Sequence, residues 1–178
     1  MQLFAPSSHL RLRKQAVGLI AALVSLGCAG SMAMAQGLLV EKALPLVLAM
    51  EAAQTALAAC EQQGYRVSVA VVDRAGLVRA QLRGDGAGPH TLDSSSRKAY
   101  TSASLRLSTL ELARMVSQSQ AIFGLREMNE KILILGGGLP IQAGEDVIGG
   151  IGVGGAPGSD KDEACAQAGI EKIKARLK

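Results

Sequence analysis

Between residues 40 and 63, Leu44, Val47, Leu48, Ala52, Thr55 and Ala59 recur at the spacing of one helical face, and Gly64 is a natural stop. Pro45 falls in the opening turn, where a missing N–H is tolerated. The pattern predicts a helix over 40–63. The period then changes to two. In "RVSVAVVD", Val67, Val69 and Val71 alternate with Ser68, Ala70 and Val72, and "LVRAQLR" alternates again. Asp73 and Gly76 mark the corner of the hairpin between them. After the loop "GDGAGPH", "TLDSSSRKAYTSASLRL" predicts a helix capped by Thr91 or Asp93. "STLELARMVSQ" predicts a shorter one that starts at Ser108 or Thr109, with Glu111 in a capping position. "SQAIFGLREMN" reads as irregular or a helical turn. "KILILGGGLPIQAGEDVIGGIGVGG" predicts three short strands, at 131–135, 139–142 and 147–153, separated by glycine turns. The closing helix is capped by Ser159 or Asp160 and ends in lysines, as the helix dipole favours. Strands joined by tight turns are antiparallel. The expectation is one α+β domain, a five-stranded antiparallel sheet covered by helices.

The first 35 residues follow a different pattern. Arg11, Arg13 and Lys14 precede an apolar run from Ala16 to Cys28, and Ala33-Met34-Ala35 offers a small-x-small cleavage site. This is the anatomy of a secretory signal peptide, and the run is too short to span a membrane as a mature helix. The expectation is a cleaved leader over 1–35, a single domain over 36–178, and a periplasmic or secreted product. Three of the 19 basic residues and none of the 15 acidic ones precede position 36, so the mature chain carries 16 against 15. That balance, with no clustered basic face, excludes a nucleic-acid partner. The mature chain keeps one histidine (His90), two cysteines (Cys60, Cys165), two tyrosines (Tyr65, Tyr100) and one phenylalanine (Phe123). One histidine cannot build a zinc site of the usual kind. The cysteines could pair in an oxidising compartment or be two buried small hydrophobes.

Gly150-Ile151-Gly152-Val153-Gly154-Gly155 matches a dinucleotide fingerprint literally, but no second strand follows the last helix. It reads instead as a strand whose glycines admit a neighbouring backbone or a ligand. "GGGLP" lacks the lysine of a phosphate loop and reads as a turn. The pairs Glu145-Asp146 and Asp162-Glu163 read as solvated or capping carboxylates. A Ser94–His90 pair lacks a nucleophile elbow, and no reaction type follows, so an enzyme is not the favoured reading. One stretch gathers the remaining chemistry. Ser94, Arg97, Lys98 and Thr101 share a helical face able to hold a carboxylate or a haem propionate, with Tyr100 alongside and His90 on the preceding loop. The same spacing also describes a solvated polar face.

At these residues the chain resembles the GlcG/HbpS family, the haem-binding-protein-like domain also found at the C-terminus of some cobalamin adenosyltransferases. The stretches are "SVAVVDRAGLV", "RKAYTSAS", "GGGLPI", "VIGGIGVGG" and "DEACAQAGI", in order. The resemblance implies a profilin-like sandwich on a five-stranded sheet, a homo-oligomer and haem as cofactor. Its "KAYT" segment brings Lys98 and Thr101 to the haem site, with Arg97 beside them. His90 is the expected iron ligand on chemical grounds, and Tyr100 its competitor. If the first and last helices pack antiparallel on one sheet face, as the family topology implies, Cys60 meets Cys165 in a disulfide. The functional expectation is an exported haem-binding protein that sequesters, relays or senses haem. The alternative is an oligomeric accessory protein that binds a small organic acid through Lys98 and supports a neighbouring enzyme.

Overall fold

A computed structural model describes residues 37–178, so the expected leader lies outside the described residues. Residues 40–178 form one unit. Helix α1 runs Leu46–Glu61, six residues later than expected, because Pro45 is its N-cap and holds Leu44 out of the helical region. The Pro45 carbonyl accepts from the amides of Leu48 and Ala49, both at 3.1 Å. The hairpin follows as β1 (Ser68–Asp73) and β2 (Val78–Arg83). Its corner is as expected: Asp73 Oδ1 accepts from the amides of Ala75 and Leu77, each at 3.0 Å, and Gly76 takes φ +76°. Helix α2 spans His90–Leu105 and α3 spans Thr109–Gln118, with a 3-10 turn at Gln120–Arg126. Strands β3 (Gly138–Ala143) and β4 (Asp146–Gly154) precede α4 (Ser159–Ile173).

The sheet has four strands, not five, all antiparallel in the order β2-β1-β4-β3. The expected strand at 131–135 does not form. Ile132 and Ile134 turn into a satellite core with Leu112 and Val116 of α3. Side chains satisfy the segment's backbone: Leu133 N–H donates to Thr101 Oγ1 at 2.8 Å, and the Ile132 carbonyl accepts from Arg97 Nη2 at 2.8 Å. The outer edge of β3 could not hold a fifth strand. Its Gly138 N–H is already given to Thr109 Oγ1 at 2.8 Å, and Pro140, two residues on along the same edge, has no N–H.

Helices α1 and α4 cover one face of the sheet, and their core includes Val69, Val71, Ile141, Ile151 and Val153. They run antiparallel, and the buried Cys60 and Cys165 form a disulfide across them, with Cα atoms 5.6 Å apart. Such a cross-link typically contributes about 2–4 kcal/mol.

Helix α2 covers the other face at unusually short range. A β-carbon on Gly152 would overlap the Ser95 carbonyl and sit 2.5 Å from the Ala99 amide nitrogen. One on Gly150 would meet Ser102 Oγ at 2.8 Å, and one on Gly154 would meet Ser94 Oγ at 2.5 Å. The glycines of the apparent dinucleotide fingerprint therefore seat a helix backbone. The helix answers with Ser95, Ala99, Ser102 and Ala103, all buried. Its buried hydroxyls bond back to their own helix, Ser95 to the Leu92 carbonyl and Ser102 to the Ala99 carbonyl, both at 3.0 Å.

Gly152→Ala is expected to lower unfolding free energy in urea by at least about 1–3 kcal/mol, the range for overpacking. Gly124→Ala, where no atom stands within 4 Å of the new methyl, is expected to change it by less than about 0.5 kcal/mol.

Candidate functional site

Of the face made by Ser94, Arg97, Lys98 and Thr101, the part nearest the sheet is buried. Lys98 lies under α2 with its side chain 2% exposed. Its ammonium donates to the Val153 carbonyl at 2.9 Å and to Asp162 Oδ2 at 2.8 Å. The other oxygen, Asp162 Oδ1, accepts from the Ala156 amide at 2.9 Å. One ion pair thus joins α2, the end of β4, the following loop and the first turn of α4. Burial pushes the Asp162 carboxyl above its ordinary value, and the Lys98 ammonium and the hydrogen bonds offset this in part. With a raised folded value, what Asp162 adds to stability through this shift is present at acid pH and lost as pH rises through that value. Of the expectation of solvated or capping carboxylates at Asp162-Glu163, solvation is corrected: Asp162 is buried, and Glu163 Oε2 takes the Ser108 hydroxyl at 2.7 Å.

Thr101 is buried too, donating to the Arg97 carbonyl at 2.7 Å while accepting from Leu133. Neither expected cap forms on α2. Pro89 holds the N-cap without a side-chain bond, Thr91 bonds Ser68 Oγ at 2.7 Å, and Asp93 pairs with Arg97. His90 is the first residue of α2 rather than part of the loop, is exposed, and lies back on Gly88.

The outward side of α2 is where a ligand can reach. Tyr100, Arg97, Ser96 and Asp93 form one wall of an open groove of about 310 Å³. Val72, Gly76, Leu77 and Val78 of the hairpin form the other, and Lys131 closes the rim. Gly76 seats the Tyr100 ring: a β-carbon there would be 2.5 Å from Cδ2. The Lys131 ammonium stands 5.6 Å from the ring centroid on Tyr100. Arg97 Nε is buried without a hydrogen-bond partner among the described residues. A larger groove of about 430 Å³ lies between β3 and α4, but it holds none of the expected residues. Its two charges, Glu171 and Lys174, neutralise each other at 3.0 Å. His90 is not among the residues that line the Tyr100 groove. Ten residues of helix put it roughly 15 Å from Tyr100 along the axis.

The family model described as "Haem degrading protein HbpS-like" matches residues 44–171. The chain belongs to the HbpS-like family. It is 44% identical to a double mutant of HbpS from Streptomyces reticuli, whose crystal structure superposes with a TM-score of 0.72, covering 77% of this chain and 92% of that one. The crystal structure of a PduOC–haem complex is 26% identical, with a TM-score of 0.69, covering 74% of this chain and 96% of that one. An uncharacterised 15.0 kDa protein encoded between dhaT and dhaS in Citrobacter freundii is 33% identical over 129 residues, covering 72% of this chain and 90% of that one.

The HbpS-like assignment fits the geometry of the quoted stretches. "RKAYTSAS" is the core of α2, "VIGGIGVGG" is the strand beneath it, and "DEACAQAGI" carries both Asp162 and Cys165. Two site residues escape sequence reasoning. Asp162 looked like a helix-capping carboxylate, although an amphipathic reading that buries Lys98 would have demanded an acid for it. Lys131 looked like the start of a strand, and nothing in its neighbourhood signals the groove.

Lys98→Met would leave Asp162 buried and unpaired, and is expected to lose about 3–5 kcal/mol of stability. Lys98→Met with Asp162→Leu is expected to recover much of that loss. Equal losses in the single and double variants in urea melts would refute the coupling.

Proposed function

We propose that the protein is an exported haem-binding protein that holds haem in the groove between α2 and the hairpin turn, with Tyr100 as the iron ligand. The observation that carries this reading is that Tyr100, and not His90, lines a cavity with an apolar floor and a cationic rim. Haem is a flat apolar macrocycle with two carboxylates and an iron that needs a protein ligand. Val72, Leu77 and Val78 fit the macrocycle, the Tyr100 phenol fits ferric iron, and Arg97 and Lys131 fit the carboxylates. Membership of the HbpS-like family and the haem complex of a relative support the choice of ligand. The groove takes only one edge of so large a molecule. The rest stays open or is covered by a second copy, which suits sequestration and relay more than catalysis.

Export is supported by the leader-like residues 1–35 and by the Cys60–Cys165 disulfide, which belongs to an oxidising compartment. The alternative of a small organic acid held by Lys98 is weakened, since that ammonium is already spent on Asp162 and the Val153 carbonyl.

Titrating the purified mature chain with micromolar hemin is expected to produce a Soret band. Tyr100→Phe, which keeps the ring packing, is expected to weaken binding roughly tenfold or more, and His90→Ala to leave it unchanged. No spectral change, or loss on His90→Ala alone, would overturn the assignment.

A further inference from the structure

We propose that Lys131 and Arg97 form a carboxylate-recognition pair beside Tyr100, and that Asp93 is its built-in competitor. The proposal rests on the haem reading above and deepens it: it says which part of the ligand these side chains select. Some cations on this surface are already matched. Arg74 pairs with Glu41, Lys42 with Asp146, Lys174 with Glu171 and Arg176 with Glu51. Lys131 differs. Among the described residues it has no acidic partner, and its exposed ammonium rests against the Tyr100 ring instead. A cation parked on an aromatic face keeps its donors free for an incoming anion.

Arg97 supplies the second cation on a fixed frame. Its Nη2 bonds the carbonyl of Ile132, the residue next to Lys131, so the two positive groups are held by one loop. Among the described residues its only acidic partner is Asp93, at 3.5 Å from Nη1, with a side chain 72% exposed. That separation is longer than a charge-assisted hydrogen bond, and such a pair is screened by water and worth little. A ligand carboxylate can therefore replace Asp93 on Arg97 while Lys131 swings from the ring to meet it. The groove is left with one net positive charge before the ligand arrives, which suits a single carboxylate.

Two sources could present that carboxylate, a haem propionate or a free organic acid, and the test separates them. Hemin and hemin dimethyl ester, whose propionates are blocked, are titrated into the wild type, Lys131→Met and Asp93→Asn. The wild type is expected to bind hemin roughly tenfold tighter than the ester. Lys131→Met is expected to remove that preference without weakening the ester. Asp93→Asn, which removes the competitor, is expected to tighten hemin and leave the ester unchanged. Equal affinities in the wild type, or a preference that neither variant alters, overturns the proposal. If neither porphyrin binds, the haem reading fails. The pair is then judged by benzoate, followed through the Tyr100 ring resonances by NMR. A shift enhanced in Asp93→Asn and lost in Lys131→Met supports it, and no shift in the wild type overturns it.

Discussion

No β-carbon fits between α2 and β4 over Gly150, Gly152 and Gly154, and the site depends on that closeness. Where the helix lies this near the glycines of the strand it presents small side chains, Ser95, Ala99, Ser102 and Ala103. It also leaves Lys98 no route to solvent. The ammonium passes beneath the helix and ends on Val153 and Asp162, so α2 is tied to β4 and α4 by a charge as well as by packing. Breaking either restraint would let the helix shift, and with it every groove residue that the helix carries.

The restraint on the inner side makes the outer side usable. Tyr100 and Arg97 project from a helix that cannot roll, toward a hairpin turn that Asp73 pins through two amides. The ring of Tyr100 is held between Gly76 and Lys131. This order suits a ligand that needs a placed phenol and a placed cation more than a deep cavity. His90 has no such setting, since it is exposed at the start of α2 and packs on Gly88.

Much of the fold was legible because period and turn chemistry agreed: the hairpin corner at Asp73 and Gly76, the Ser108 cap of α3, and the glycine strand that admits a backbone. The misreadings have separate causes. Hydroxyls that bond back to their own helix look polar in sequence but behave as small core residues, so the serine- and threonine-rich side of α2 read as a ligand face when it is largely packed. "KILIL" alternates like a strand, yet its isoleucines serve the satellite core on α3 and its backbone is satisfied by Arg97 and Thr101. Asp162 and Lys131 acquire their roles only from residues distant in sequence, which no local pattern records. The residues alone left Cys60 and Cys165 as a disulfide or two buried thiols; only the topology implied by the family resemblance set them together, and the structure joins them.

The central claim is that a phenol fixed on α2 holds the iron, and resonance Raman spectroscopy of the hemin-loaded protein tests it most directly. The account predicts phenolate modes, enhanced by iron coordination, that shift when the protein is labelled with ring-deuterated tyrosine and vanish in Tyr100→Phe. A spectrum insensitive to tyrosine labelling, with iron–imidazole modes that respond to labelled histidine, would contradict it.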